Sequence, residues 1–329
     1  MPDGLVSDSG HMHIPNTLRG VLLVVLLALV ALSASASALT YVPEPRPFSS
    51  TSFWDTQLPA TQTADPNSPA LVAELNRQVA KYGPWIATDG YTAPVYTVPA
   101  GQPRVPVILD TNKQPLKSDL AAGVPIPAYA QGSDGTDNSA VVWQPSTDTY
   151  WEFWRLSKKA DGFHATFGGI IRNASTSQGI FSGGTGTAAS GLALLGGMIR
   201  PGEFGSWTIN HALRMGMPEV TAGVIRAPAN RTDGRVVGGG LPMGTRFQLD
   251  PSVNVWALNV PNQVKIIAYA AQRYGMIVGD TSGAVSLYGE DPLTMPLDPW
   301  SVLFSALSPG YLMRQFPWDK LRALPPTGG

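Results

Sequence analysis

Apolar positions open the chain as one block and then break into short periodic runs. Residues 21–32 form an unbroken hydrophobic stretch, VLLVVLLALVAL. Farther on, Ala70, Leu71, Ala73, Leu75 and Val79 recur at helical spacing. They predict a helix that opens at Asp65-Pro66-Asn67-Ser68, runs to about Tyr82 and stops at Gly83-Pro84. From Tyr91 to Leu109 the spacing changes to that of strands, VYTV and VPVIL, and a polar connector follows over 110–123. Residues 139–143 (SAVVW) and 150–156 (YWEFWRL) flank turn-forming residues and predict a hairpin. Residues 163–171 (FHATFGGII) predict a third strand packed behind it. The Gly- and Ser-rich stretch 173–191 reads as a long loop, and such loops in compact domains are usually functional or mobile. Residues 207–213 (WTINHAL) and 219–226 (EVTAGVIR) predict strands, with a helical turn over 209–215 as the alternative. The stripe of Val264, Ile267, Ala268 and Ala271 between Pro261 and Gly275 predicts a second long helix. Residues 276–278 and 284–288 then predict a hairpin about Gly279-Asp280-Thr281-Ser282-Gly283.

Short elements separated by 35 Gly and 30 Pro predict a mainly β fold, a jelly-roll or related β-sandwich with a few peripheral helices. The first apolar block is different in kind. Arg19 precedes it, Ser33-Ala34-Ser35-Ala36-Ser37-Ala38 follows it, and Ala36-Ser37-Ala38 fits an A-x-A site. A basic flank, a short apolar core and a small-residue site make a secretory signal, with cleavage after Ala38. The block is shorter than the ~20 residues of a spanning helix, although an uncleaved N-terminal anchor is the alternative. Met12 is a second candidate start. The expected organisation is a leader at 1–38, an extended Pro/Ser-rich lead-in at 39–65, one β-rich domain at 66–290 and a Pro-rich surface wrap at 291–329.

Composition narrows the function. The 22 Lys and Arg against 23 Asp and Glu become equal once the leader is removed. A neutral chain without a basic run argues against a nucleic-acid partner. With 0 Cys there is no disulfide framework, thiolate metal site or Cys nucleophile. That suits export from a bacterium better than an oxidising secretory pathway. Beyond the leader only His164 and His211 remain, which excludes a multi-histidine metal site. No nucleotide-loop, Rossmann, zinc-protease or nucleophile-elbow motif is present, so no cofactor is predicted. The 9 Trp raise the expectation of sugar stacking, against the plainer reading that most are core.

The hairpin carries the most pointed chemistry. Symmetric closure sets Val141 opposite Glu152, and alternation then gathers Asp137, Ser139, Trp143, Tyr150, Glu152 and Trp154 on one face. Two carboxyls among aromatic rings is the equipment of glycoside hydrolysis, one donating a proton and the other attacking or activating water. Glu152 is the candidate acid, Asp137 or Glu203 its partner, and Tyr150, Trp154 and Trp143 the stacking walls. Under the plainer reading Glu152 is a surface acid between two buried Trp. His211 is a candidate general base or a satisfied core histidine. Arg231 is a candidate for a uronate carboxylate or part of a plain turn. Asp280 sits where a hairpin turn would place an Asp in any case.

Several phrases resemble a group of uncharacterised exported bacterial and fungal proteins. They are Gly135-Thr136-Asp137, Trp151-Glu152-Phe153-Trp154, the run from Ala189-Ser190-Gly191-Leu192 to Gly196-Gly197-Met198-Ile199-Arg200, Asn210-His211-Ala212-Leu213 and Tyr274-Gly275-Met276-Ile277. The resemblance spans most of 130–290 and implies one domain that works outside the cell. In that group the first phrase runs G-x-D-x-H, whereas this chain has Ser139 at the His position, which lowers the weight on Asp137. The resulting expectation is a secreted glycoside hydrolase acting on an extracellular or cell-wall polysaccharide. A polysaccharide lyase and a non-catalytic glycan-binding or envelope protein are the alternatives.

Overall fold

The computed structural model describes residues 45–326, so the expected leader and its cleavage point lie outside the described residues. The fold is mainly β, with strands in several mixed sheets and few helices. The strands β1 (Pro84–Ala87), β9 (Leu213–Met217), β12 (Arg246–Leu249), β13 (Met276–Thr281), β14 (Val285–Tyr288) and β15 (Leu321–Ala323) form the largest sheet, in the order β1-β14-β9-β13-β12-β15. A second sheet has the order β2-β4-β5-β8, from β2 (Val95–Thr97), β4 (Ala140–Gln144), β5 (Thr149–Trp154) and β8 (Phe167–Arg172). The strands β3 (Val107–Leu109), β6 (Ser157–Lys159) and β7 (Gly162–Ala165) make a third sheet, and β10 (Val220–Ile225) pairs with β11 (Leu241–Met243).

Three apolar cores separate these layers. One lies between the six-stranded sheet and the helices α1 (Ser68–Tyr82) and α4 (Asn262–Arg273). It buries the whole stripe expected on α4, Val264, Ile267, Ala268 and Ala271, but on α1 only Leu75, with Leu71 and Val79 partly buried against it and Ala70 and Ala73 exposed. A second core joins Val95, Val141, Trp143 and Tyr150 of the four-stranded sheet to Ile277 of the six-stranded one, with Trp54 and Leu195 between. The third packs the opposite face of the four-stranded sheet, through Val142, Trp151 and Phe153, onto β3, β7 and the short helix α2 (Leu116–Ala121). Period-two alternation thus places successive residues of β4 and β5 in different cores. Both faces of this sheet are covered, so these strands read as nearly continuous apolar runs.

Sequence periodicity located the elements better than their neighbours. The hairpin register is as expected, with Val141 opposite Glu152 and Trp143 opposite Tyr150. The third strand is not behind it: β8 extends the same sheet beside β5, and 162–165 departs as β7 into the third sheet. Strands β13 and β14 do not pair with each other. Strand β9 lies between them, parallel to β13 and antiparallel to β14. Crossing one intervening strand spans roughly 10 Å, a distance three extended residues cover. The Ser282 N–H is anchored on the way by the Met217 carbonyl at 3.1 Å.

The C-terminal segment is no surface wrap. It carries the short helices α5 (Trp300–Leu303) and α6 (Pro309–Arg314), and buries Trp300, Phe304, Leu312, Met313, Phe316 and Trp318 in the first core. It ends by adding β15 to the sheet. The lead-in is likewise anchored, since Trp54 is fully buried. A side chain of that size contributes about 2–3 kcal/mol on burial. Among the described residues no helix is long and apolar enough to cross a membrane.

Candidate active site

A cleft of about 910 Å³ is lined from both larger sheets, by β1, β9, β13 and β14 on one side and by Asp137, Ser139 and Trp154 of the hairpin on the other. Asp280 lies in its wall because of a local irregularity. Strand β13 tracks β9 through Val278 opposite Met215, then skips Gly279 so that Asp280 pairs with Gly216. Such a bulge re-aims the following side chain. It requires glycine, since a Cβ at 279 would come within 2.7 Å of the Arg214 Cγ.

The Asp280 carboxylate accepts hydrogen bonds from the backbone N–H groups of Ala189 (3.2 Å) and Thr281 (3.1 Å), and from Arg214 Nη1 (3.1 Å). Its side chain remains 23% exposed. Burial is the largest influence on it and pushes its pKa up to about 6; Arg214 opposes this, and the nearby Asp233 charge adds to it. Arg214 is almost wholly buried and stacks on the Tyr288 ring at 3.8 Å. Burial, followed by the Asp280 charge, pushes the Tyr288 phenol pKa up, and Asp137 contributes in the same direction. On the opposite wall Trp154 donates its Nε1–H to Asp137 at 3.0 Å, and Arg155 lies over the Trp154 ring at 4.3 Å.

The expected hairpin face is real but divided. Its open end, Asp137, Ser139 and Trp154, lines the cleft. Its other end, Trp143, Tyr150 and Glu152, is buried in the core beneath the Gly- and Ser-rich segment. Glu152 has no exposure. One of its oxygens accepts from the Thr187 N–H (2.6 Å) and hydroxyl (2.9 Å), the other from the Tyr150 hydroxyl (2.8 Å) and Leu194 N–H (3.0 Å). Burial pushes its pKa up while these donors resist. Thr187 and Leu194 line the cleft, so Glu152 positions the wall and does not reach the space within it. The assignment of Glu152 as acid, with Tyr150 and Trp143 as stacking walls, is corrected accordingly.

The other sequence candidates hold structure elsewhere. Arg231 donates to the carbonyls of Thr185 (2.6 Å), Gly186 (2.7 Å) and Ala188 (2.7 Å), clamping the Gly-rich loop where a uronate was the alternative. Glu203 and His211 are buried 3.1 Å apart, and the other His211 nitrogen faces the Ala212 carbonyl at 2.8 Å. Glu203 also accepts from the Arg200 N–H at 2.8 Å, capping the short helix α3 (Pro201–Gly205). Burial opposes its ionisation, but His211 and then Arg46 hold its pKa below the ordinary value. Neither residue lines the cleft.

Sequence reasoning discounted Asp280 as a turn residue and passed over Asp233, Arg214, Tyr288, Tyr91, Asp89 and Asp134, all of which line the cleft. A usable signal was present for Arg214, a charge inside the apolar run Leu213 to Met217. Tyr91 carries another kind of mark. Its φ is 54°, a left-handed conformation that costs a bulky residue about 1–2 kcal/mol. Its ring fits against Gly135, where a Cβ would meet it at 2.8 Å, and still leaves the residue 57% exposed. Among the described residues no group of three or more His, Asp or Glu is placed to hold a metal ion. Comparison with family models, curated proteins and solved structures returned no match to this chain, so its function must be argued from this cleft.

Proposed function

We propose that the protein is a secreted glycoside hydrolase acting on an extracellular or cell-wall polysaccharide, with Asp280 as general acid and Asp137 as the second carboxylate. The observation that carries this reading is the meeting of Asp280, Asp137 and Trp154 in one open cleft. A carboxyl with a pKa of about 6 retains a useful protonated fraction near neutrality and can transfer that proton to the departing glycosidic oxygen. Asp137 then attacks the anomeric carbon or takes a proton from the attacking water. Trp154 fixes Asp137 through its Nε1–H and lines the cleft beside it. Trp85 and Tyr91, both exposed at the rim, supply flat apolar faces for further sugar units.

A lyase is less well supported. Its base would have to take a carbon-bound proton, and the cleft phenol of Tyr288 has its pKa pushed up by burial, so it holds its own proton. His211 is fully buried, and Arg231 is committed to loop carbonyls. As to fold, the layering of the two larger sheets about a shared core supports a relative of the β-sandwich. The parallel pairs β1/β14, β9/β13, β2/β4 and β3/β7 do not suit a jelly roll, whose strands are antiparallel.

The test is a reducing-end assay of the chain from Leu39 against plant, fungal and bacterial wall polysaccharides, with ultraviolet absorbance followed in parallel. New reducing ends without absorbance, lost in Asp280→Asn, are the expected outcome. An absorbing unsaturated product would replace hydrolysis by elimination. Retention of a glycan with no product would make the cleft a binding site.

A further inference from the structure

The charge of the cleft is one-sided. Asp89, Asp134, Asp137, Asp233 and Asp280 line it, and the basic residue among its lining, Arg214, is buried and paired with Asp280. Three of the acids have local donors: Asp137 takes the Trp154 Nε1–H, Asp233 the Thr281 hydroxyl at 3.0 Å, and Asp280 the Arg214 guanidinium. Asp89 and Asp134 are exposed and have no side-chain hydrogen bond or ion pair among the described residues.

The backbone brings these two acids close to an exposed aromatic residue, Tyr91. Gly90 forms a parallel bridge with Asp134, and the Tyr91 N–H donates to the Asp134 carbonyl at 2.9 Å. Tyr91, seated on Gly135 next to Asp134 and two residues beyond Asp89, therefore lines the cleft together with both acids. Asp291 adds to the field from within. It is 2% exposed, and one of its oxygens accepts from the Leu293 N–H at 3.1 Å while the other has no partner. Burial first, then the like charges of Asp134, Asp89 and Asp298, push its pKa up to about 6. Asp89, Asp134 and Asp291 thus have no cationic side-chain partner among the described residues.

Resting on the hydrolytic reading above, we infer that the cleft takes a polycationic glycan, a chain of amino sugars with free ammonium groups, and that Asp89 and Asp134 pair with the ammonium of a unit stacked on Tyr91. Ammonium-to-carboxylate hydrogen bonds are charge-assisted, and the apolar face of the same sugar suits the phenol ring. A uronate chain meets repulsion along the same wall, so the site discriminates against it as well as for the amine.

The test is calorimetric titration of the Asp280→Asn chain, silenced for turnover, with hexamers of glucosamine, N-acetylglucosamine, glucose and galacturonate. The glucosamine hexamer is expected to bind about tenfold tighter than the acetylated and neutral ones, and the uronate not at all. Added salt should weaken glucosamine binding and leave glucose binding unchanged. Adding Asp89→Asn and Asp134→Asn, both at exposed positions, should remove the tenfold preference. Equal or tighter binding of the acetylated, neutral or uronate hexamer would overturn the inference, as would an unaltered preference in the doubly neutralised rim. Wild-type turnover separates the two readings. Hydrolysis of neutral glycans without amine preference sinks this inference and keeps hydrolysis. Glucosamine binding with no product from any glycan keeps the amino-sugar site and sinks hydrolysis.

Discussion

Glu152 and Asp280 look alike by electrostatics and differ in everything that matters to chemistry. Burial raises the pKa of both. Both accept backbone N–H groups from the segment 187–194, Thr187 and Leu194 for one and Ala189 for the other. Glu152, however, lies on a strand covered on both faces, and each of its oxygens has two donors. Asp280 follows a bulge at the end of a strand, keeps 23% exposure and looks into a cleft. A raised carboxyl pKa therefore does not by itself mark a catalytic acid; access and an opposing carboxylate do.

The largest effect expected from this contrast is on turnover. Asp280→Asn should cut kcat by about 10²–10⁴-fold, the usual contribution of a general acid, and leave the fold intact by circular dichroism. If it retains wild-type turnover, the assignment of the two carboxyls is wrong. Glu152→Ala should act in the opposite sense, costing stability by about 3–5 kcal/mol in denaturant unfolding because it strands buried donors around a vacated charge site. A soluble, stable Glu152→Ala protein without turnover would instead return Glu152 to the chemistry.

The two sites also separate by pH. The acid limb at Asp280 predicts that kcat/KM falls as pH rises through about 6, where the proton is lost. The stability effect has the matching sign. The folded pKa of Asp280 lies above its ordinary value of 3.8, so its ionised form opposes folding. That opposition is relieved as pH falls from about 6 to about 4, the native carboxyl being protonated first. Asp291, also at about 6, adds a slope of the same sign. Thermal melts of Asp280→Asn across this window should lose one share of the slope and keep the other. The smallest effect concerns Trp154. Replacement by Phe keeps a ring but removes the hydrogen bond to Asp137, and should slow turnover about fivefold, equivalent to about 1 kcal/mol.

Much of the local structure was legible. Helical stripes at Leu75 and at Val264 to Ala271 marked α1 and α4, and the turn at 144–149 fixed the hairpin register to the residue. Those signals are local: spacing sets which face an apolar residue occupies, and a tight turn sets which residues stand opposite. The same spacing gathered Asp137 and Trp154 correctly on one face, yet could not say where along that face solvent ended.

What the sequence determined, then, was the mainly β class, the register of the central hairpin and the presence of carboxyls among aromatic rings. Tertiary structure alone decided which carboxyls face open space. It inserted β9 between the strands read as a hairpin and drew the C-terminal segment into the core. It also laid the Gly-rich loop over Glu152, where Arg231 holds it, and turned Asp280 into the cleft at a bulge. The reason is physical. Strand order, loop placement and bulges are set by contacts between residues far apart in the chain, which local periodicity does not encode.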